Sequence, residues 1–265
     1  MFNQLQFLNT SDMKKHTDKL SVLSIDIGGS HVKATILNAR GELTMEYDKV
    51  ETPVPSTPEN MVEAIKNLVK NFPAYNKISV GFPGYIKNGV VITAPNLGTR
   101  AWKGFDLQSK LQTELSQPAR VVNDADMQGL GVVNGKGFEL VITLGTGFGT
   151  AFLLDGVLLP HLEISQHPLA KDHNYDEYIG DKALDHVGDK KWNKRMRKVF
   201  KVLKTVFNYD YLYIGGGNAR KLDIKLDKNM KIVTNEDGIK GGSRLWQEKT
   251  IQGLKATVAA KTVHQ

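Results

Sequence analysis

Three glycine-rich turns, each directly after an apolar strand pattern, are the segments of this sequence best suited to bind an anion. Without a Cβ, backbone N–H groups can approach a phosphate closely, and a neighbouring hydroxyl or ammonium group adds a donor. Two such turns in echoing positions of two lobes could grip a phosphate chain from both sides. The residues assigned to phosphate or nucleotide binding are Gly28, Gly29, Ser30 and Lys33 in the first turn, Gly145, Thr146 and Gly147 in the second, and Gly215, Gly216 and Gly217 in the third.

Asp26 ends the strand before the first turn and supplies a carboxylate there. Mg²⁺ is commonly held by one or two carboxylates together with water, so Asp26 is the candidate metal residue, with contact through water. Two alternatives stay open. A hairpin turn that needs positive φ would explain the first turn with an incidental carboxylate, and three consecutive glycines are also a common flexible turn.

The elements that position these turns form two echoing α/β units. In each unit a strand meets a glycine turn and doubles back as a hairpin, and helices follow. Strands are predicted at residues 21–27, 31–37, 42–50, 78–82, 119–123, 140–144, 149–154 and 211–214, and helices at 58–71, from 124 and at 190–207. We predict an N-terminal lobe at 21–118 and a C-terminal lobe at 119–250. A flexible leader covers 1–20, and the C-terminal segment 251–265 is a candidate for returning to the N-terminal lobe.

Positive charge is concentrated in one segment. The chain has 35 Lys and Arg against 28 Asp and Glu, a net charge of +7. Residues 190–231 hold 13 basic and 3 acidic residues, a local +10, which leaves −3 for the rest. Such a segment attracts polyanions; the alternative is a solvated face above an apolar stripe. The residues of that stripe, at spacings of four, three, four and three, are Trp192, Met196, Val199, Leu203 and Val206.

Composition excludes several classes of protein. The chain has no cysteine, so it has no disulfide framework, no Cys-ligated metal and no thiol nucleophile. Its first twenty residues lack the pattern of a secretory signal, and its longest uncharged stretch is too short and too rich in glycine to span a bilayer. These features predict a cytoplasmic protein without a membrane partner.

The order of the motifs resembles the actin-like, ribonuclease H-like ATPase fold and, within it, the ROK (repressor, open reading frame, kinase) sugar kinases, in particular their polyphosphate/ATP glucokinase branch. The resemblance spans Asp26 to about Trp246 and rests on residues 25–30, 81–84, 94–97, 102–104, 123–126 and 144–147. It implies a two-lobed α/β fold with a central cleft. It also implies Mg²⁺-dependent transfer of a phosphoryl group from polyphosphate or ATP to the 6-hydroxyl of glucose or a related hexose.

The same resemblance implies roles for individual residues. Asp124 corresponds to the general base that accepts the proton of the sugar 6-hydroxyl, although an Asp before a helix is also a common N-cap. The family motif Glu-x-Gly-His matches at Glu163, whereas a Gln stands at the position of the His and a His follows one residue later. Residues 215–218 and 237–241 resemble the glycines of the nucleotide cleft. The implied sugar-binding residues are Asn96, Asn123, Glu163, Gln166, His167 and Asp176.

The resemblance also bears on partners. Many ROK proteins hold a structural zinc through three cysteines, which this chain lacks, so no zinc is expected. About twenty residues precede the first strand, too few for a helix-turn-helix module, so we expect no specific nucleic-acid binding. A homodimer is expected, since dimers are common in the family. Two rival functions stay open: a catalytically impaired sugar-binding or regulatory protein, and an actin-like ATPase that acts on protein partners.

Overall fold

The computed structural model describes residues 20–247 and residue 250, and it contains two five-stranded sheets with helices packed around them. The predicted leader, apart from Leu20, and the predicted segment 251–265 lie outside the described residues. The elements of the first half are β1 (Ser21–Ile27), β2 (His31–Asn38), β3 (Asp48–Glu51), α1 (Pro58–Val69), β4 (Lys77–Phe82), β5 (Ile86–Lys87), β6 (Val90–Val91), α2 (Thr99–Trp102), α3 (Leu107–Leu115) and β7 (Ala119–Asn123).

The second half is richer in helix and contains the long basic helix. Its elements are α4 (Asp124–Val132), β8 (Phe138–Leu144), β9 (Phe148–Leu154), β10 (Val157–Leu158), β11 (Pro168–Ala170), β12 (His173–Asn174), α5 (Tyr175–Ile179), α6 (Asp181–Phe207), β13 (Tyr211–Gly215), β14 (Met230–Ile232), α7 (Asn235–Ile239) and α8 (Gly241–Arg244). Two 3₁₀ turns, Ile164–Gln166 and Gly217–Lys221, lie within the connections. Of the helices that the structure describes, none is long and apolar enough to cross a membrane.

The two sheets repeat one topology. The first has the strand order β3-β2-β1-β4-β7, in which β1 and β2 form an antiparallel hairpin and β4 and β7 run parallel to β1. The second has the order β10-β9-β8-β13-β14, with an antiparallel β8/β9 hairpin followed by parallel β13 and β14. This repetition confirms the echo between the two units. The first and second glycine turns sit at the tips of the two hairpins, and the third follows the parallel strand β13.

Helix α4 lies between the two sheets and packs with small residues. Its Gly129 faces β9, where an added Cβ would lie 2.8 Å from the Cβ of Ala151. On another side α7 and α8 press against it, because a Cβ on Gly241 would overlap the carbonyl oxygen of Met127. The glycines of the 237–241 segment, which the sequence associates with a nucleotide cleft, therefore have a packing function against α4.

The last described turn returns to the first sheet. The indole N–H of Trp246 donates to Ser79 Oγ of β4 at 2.9 Å, and the Arg120 guanidinium lies 4.2 Å from the centre of the indole ring. Arg120 also donates to the carbonyl of Leu245. The second half of the chain is thereby fastened to the first sheet before residue 247.

Four predictions about elements differ from the structure. The strand predicted at 42–50 is short, because the chain makes one bridge between Leu37 and Leu43 and only then pairs again as β3. Strand β7 pairs with β4, so the first sheet extends past the predicted boundary at residue 118. The prediction that Val206 belongs to the buried stripe is wrong: it is 61% exposed, while Trp192, Met196, Val199 and Leu203 are buried. Helix α6 begins at Asp181, earlier than predicted, and is interrupted at Gly188 (φ 72°), just before the predicted start at residue 190.

Candidate active site

Helix α4 begins with two carboxylates at the carboxyl end of β7. The N-cap is Asn123, whose side-chain oxygen accepts the N–H groups of Ala125 at 2.8 Å and Asp126 at 3.4 Å. The alternative in which Asp124 caps the helix is therefore wrong, since Asp124 is already the first helical residue. Its carboxylate accepts the N–H of Ala125 at 2.8 Å and is not needed to begin the helix.

The surroundings of Asp124 make its charge costly. Burial, and next the negative charge of Asp26, raise the pKa of Asp124 from 3.8 to about 7; Asp126 acts in the same direction, while the Ala125 N–H and His161 oppose it. Gly81 of β4 permits this crowding, because a Cβ there would lie 3.3 Å from the Asp124 Cα. A carboxylate whose pKa lies near neutrality is well matched to accepting a proton from a hydroxyl.

Asp26 is the second carboxylate of this region. Burial raises its pKa, and Lys33, its register partner on β2, opposes that increase. Burial and the negative charge of Asp26 also raise the pKa of Tyr47, which places the phenol in the electrostatic neighbourhood of Asp26. Four ionisable groups therefore interact near the end of β1: the carboxylates of Asp26 and Asp124, the ammonium group of Lys33 and the phenol of Tyr47.

The first glycine turn keeps two residues open. Neither Gly28 nor Gly29 has a positive φ, so the alternative of a hairpin that needs the left-handed region is wrong. The N–H of Gly28 donates to the His31 carbonyl at 2.9 Å and is used by the turn itself. Gly29 and Ser30 are exposed. A Cβ on Gly29 would lie 3.8 Å from the Cβ of the exposed Asn96, which brings one predicted sugar-binding amide beside this turn.

The second and third glycine turns meet each other. Gly216 has a φ of 86°, and a Cβ there would overlap the backbone of Leu144, so the end of β13 approaches the end of β8 as only glycine allows. The carbonyl of Gly145 accepts the N–H of Asp181 at 3.0 Å. Around Gly145 and Gly217 an added Cβ would find no atom within 4 Å, so both glycines border open space. The two turns form one continuous glycine-lined surface.

Asp176 connects the second turn to residues 163–167, the predicted sugar loop. One carboxylate oxygen accepts the N–H of Phe148 at 2.6 Å, and the other accepts the Gln166 amide at 3.1 Å. A Cβ on Gly147 would lie 2.7 Å from the same carboxylate. Asn174 donates to the Gln166 oxygen at 3.4 Å. The Gln that replaces the expected His is therefore held between α5 and the glycine turn.

A buried histidine links α4 to the predicted sugar loop. The Nδ1 of His161 lies 3.0 Å from a carboxylate oxygen of Asp126, and its Nε2 lies 3.1 Å from Glu163. The Glu163 carboxylate also accepts the hydroxyl of Ser165 at 3.3 Å. The ring of Tyr85 stacks on the imidazole, with the ring centres 6.0 Å apart. Glu163, which the family motif assigns to sugar binding, is held from two sides.

The remaining predicted sugar-binding residues, Asn123 and His167, differ in their hydrogen bonding. Asn123 uses its oxygen as the helix cap and donates through its amide to the Gly84 carbonyl at 3.1 Å, so one amide hydrogen is left for a ligand. His167 is exposed, and its ring has no hydrogen bond within the part of the chain that the structure describes. Gln166, rather than His167, belongs to the connected polar network.

The basic side chains of α6 fall into two groups: those that contact other described residues and those that do not. Arg195 and Lys198 donate to backbone carbonyls and lie over the ring of Tyr178, Arg197 donates to the Asp223 carbonyl, and Lys204 pairs with Asp227 at 2.7 Å. Lys190, Lys191, Lys194 and Lys201 are exposed without such contacts in residues 20–247. These exposed lysines are the ones available to bind a polyanion.

The sequence interpretation missed Asp126 and His161. Asp126 stands in the 123–126 motif without a role, and it is 4% exposed. His161 lies two residues before Glu163, on a segment with no helical or strand periodicity to place it. The sequence offered one usable signal, for Asp126. The third residue of α4 is expected to be buried, and a buried carboxylate requires a cation or hydrogen-bond donors nearby.

The comparisons with known proteins identify the family of the chain. The model of the ROK family matches residues 22–160. The chain belongs to the ROK family. It is 29% identical over 228 residues to a polyphosphate glucokinase from Mycobacterium tuberculosis (strain CDC 1551 / Oshkosh), covering 81% of this chain and 84% of the relative. It is 32% identical to a polyphosphate glucokinase from Mycobacterium leprae (strain TN), with 80% and 68% covered.

A solved structure extends the comparison to the fold. The crystal structure of the inorganic polyphosphate/ATP-glucomannokinase from Arthrobacter sp. strain KM matches with a TM-score of 0.75 and 32% identity, covering 84% of this chain and 97% of that one. The predicted family and the predicted actin-like α/β fold are both confirmed. The homology supports sugar kinase function for this ROK protein.

Proposed function

We propose that this ROK protein is a hexokinase that transfers a phosphoryl group from inorganic polyphosphate or ATP to the 6-hydroxyl of glucose or a related hexose. The observation that carries the proposal is Asp124, a carboxylate with a pKa of about 7 at the start of α4. Asp124 interacts electrostatically with Asp26, which precedes the first glycine turn, and with His161, which is hydrogen-bonded to Asp126. The relatives described above support the donor and the acceptor.

The proposed reaction assigns a role to each of these groups. The sugar binds against Glu163, Asn96 and Gln166, and its 6-oxygen attacks the terminal phosphorus of the donor. As the new O–P bond forms, the hydroxyl proton passes to Asp124, and the bond to the leaving phosphate oxygen breaks with its electron pair on that oxygen. Proton transfer of this kind contributes about 10²–10⁴-fold to the rate, and positioning contributes most of the rest.

The donor phosphates are assigned to the open parts of the glycine turns. Gly29 and Ser30 offer backbone and hydroxyl donors from the first lobe, while Gly145 and Gly217 border open space on the other side. Since Gly216 brings the second and third turns together, a phosphate chain can lie along both. We expect substitutions at these glycines to act on the donor rather than on the sugar.

Mg²⁺ fits the donor set of this site. The ion usually retains several waters and binds one or two carboxylates together with substrate phosphates. Asp26, whose pKa burial raises, would hold the hydrated ion through water, and the ion would neutralise charge on the transferred phosphoryl group.

A matrix of donors and sugars tests the proposal. Glucose, mannose and an amino sugar are each incubated with ATP or with long-chain polyphosphate and Mg²⁺, and the phosphorylated sugar is quantified by mass. We expect glucose 6-phosphate from at least one donor. Hydrolysis of ATP that is independent of every sugar would contradict the proposal and would favour an ATPase that acts on protein partners.

The basic segment supports polyphosphate as a donor. A long phosphate chain gains from many weak contacts that salt weakens, since exposed attraction is screened over about 8–10 Å at physiological ionic strength. Replacing Lys194 and Lys201 by Gln should reduce kcat/KM for polyphosphate, most strongly at low salt, and leave ATP nearly unaffected. The matched control replaces the exposed Lys70 and Lys87 of the first lobe. If both donors respond alike to the Lys194 and Lys201 changes, the basic face is only a solvated surface.

A second candidate function is a catalytically impaired sugar-binding or regulatory protein. The observation that favours it is Gln166, which replaces the His of the family motif and is occupied by Asp176 and Asn174. Isothermal titration with glucose, together with a coupled assay for glucose 6-phosphate, separates the two functions. Binding without turnover from any donor would establish the second candidate.

A further inference from the structure

The reaction described above does not use His161, although this imidazole lies at the centre of the site. Its side chain is 7% exposed, and both ring nitrogens lie within hydrogen-bond distance of carboxylates, Asp126 on one side and Glu163 on the other. A neutral imidazole can donate from one nitrogen only, whereas the imidazolium ion donates from both. Two ionised carboxylate partners are therefore both satisfied only by the protonated form.

Within the part of the chain that the structure describes, the charges that act on this imidazole are few. Asp126 approaches from α4, Glu163 from its own loop, Asp124 acts through its charge, and the packed ring of Tyr85 carries none. The second oxygen of Asp126 is buried and has no hydrogen-bond partner within the described residues. His161 is thus the side chain that compensates the buried negative charge of Asp126. Leaving such a charge unpaired is strongly unfavourable.

Electrostatics agree with the geometry. Burial lowers the pKa of His161, but hydrogen bonds to Asp126 and Glu163 outweigh it and raise the pKa to about 10. The hydrogen bond from His161 lowers the pKa of Glu163. Burial raises the pKa of Asp126, and the hydrogen bond from His161 opposes that rise. The ion pair between His161 and Glu163 therefore persists through the neutral range, and Glu163 stays an ionised acceptor.

We propose that His161 is a positioning residue, an imidazolium ion that fixes the Glu163 carboxylate for the sugar and lowers the cost of ionising the base Asp124. The inference rests on the proposed function, because Glu163 and Asp124 receive their roles there. It adds a cation between the sugar-binding carboxylate and the start of α4. Without that cation, the Glu163 carboxylate keeps the Ser165 hydroxyl as its one hydrogen-bond partner among the described residues, and it is no longer held in one orientation for the sugar hydroxyls.

The substitution His161→Gln tests the role of the charge. A Gln amide donates to one carboxylate but carries no positive charge. We expect the dissociation constant for glucose to rise roughly 10- to 100-fold, as loss of a charge-assisted hydrogen bond implies, while KM for ATP changes less than about twofold. The acidic limb of the pH profile of kcat/KM should move to higher pH, because His161 no longer opposes the rise in the pKa of Asp124. The control is His186→Gln on the exposed side of α6.

Imidazole NMR provides a measurement that needs no catalysis. The signal absent from the His161→Gln spectrum identifies the residue in the unmodified protein, and we expect it to stay protonated up to at least pH 8.5. A signal that titrates near the ordinary value of about 6.5 would overturn the inference, as would unchanged glucose affinity and an unchanged pH profile in a folded variant. If the unmodified protein phosphorylates no sugar, the proposed function fails, but the imidazole titration still decides whether His161 is a permanent cation.

Discussion

The ionisation of Asp124 predicts how strongly activity depends on pH. The base must be deprotonated to take the sugar proton, and its pKa of about 7 leaves about a tenth of the molecules in that form at pH 6 and about nine tenths at pH 8. We therefore expect kcat/KM for glucose to rise roughly tenfold between these values. An aspartate with its ordinary pKa would be ionised at both, and the profile would be flat.

The same raised pKa predicts an effect on stability with a definite sign. The folded protein disfavours the ionised Asp124, so stability that is present below the unfolded pKa of 3.8 is lost as pH rises towards 7. Asp124→Asn removes this cost. The variant should gain stability progressively between about pH 4 and pH 7 and keep a constant gain above that, with an upper bound of about 4 kcal/mol from roughly 1.4 kcal/mol per pKa unit.

The assay combines both measurements on matched samples. Urea unfolding of the unmodified protein and of Asp124→Asn at pH 5 and pH 8 gives the stability difference, and initial rates from pH 5.5 to 8.5 give the profile. Gln117→Glu, at a partly exposed position before β7, adds an ordinary carboxylate away from the site and serves as the control. A flat profile, or an equal stability difference at both pH values, would refute the assignment of a raised pKa to Asp124.

Two further predictions concern the glycine turn and the sugar motif. Gly145→Ala should raise KM for the donor and leave KM for the sugar unchanged, because the new Cβ enters open space, whereas Gly147→Ala pushes on Asp176 and should affect both substrates; steady-state kinetics with each substrate varied decides this, and equal effects from Gly145→Ala would contradict it. Gln166→His restores the family motif and should improve kcat/KM for glucose in a coupled assay. Loss of activity with every hexose tested would show that the loop is shifted in register and that the native His167 already fills the role.

Much of the frame could be predicted because it depends on local signals. The hairpins and their glycine turns follow from β-branched runs that end in glycine, and the order of motifs identifies the family and the two-lobed fold. Strand β7 and the start of α4 were placed correctly for the same reason. Strand β3 was not, because the pairing of residues 42–47 depends on the partner strand rather than on their own pattern.

The site was harder to predict because its key contacts are distant along the chain. Nothing local to His161 shows that Asp126, 35 residues away, lies at 3.0 Å from it. Likewise, the cap function of Asn123 competes with its assigned sugar contact, and only the distances decide how its amide is used. The exposure of Val206 follows from its position in the last turn of α6, beyond Leu203, the last buried residue of that helix, and the helical pattern alone does not show where the packing ends.

The most direct test of the account compares turnover and sugar binding in Asp124→Asn. Glucose 6-phosphate formation is measured at pH 8 with saturating donor and glucose, and glucose binding is measured by isothermal titration. We predict a loss of kcat of about 10²–10⁴-fold with the dissociation constant for glucose largely unchanged, because the amide keeps the shape but cannot accept the proton. Retention of more than about a tenth of kcat would contradict the central claim that Asp124 is the general base.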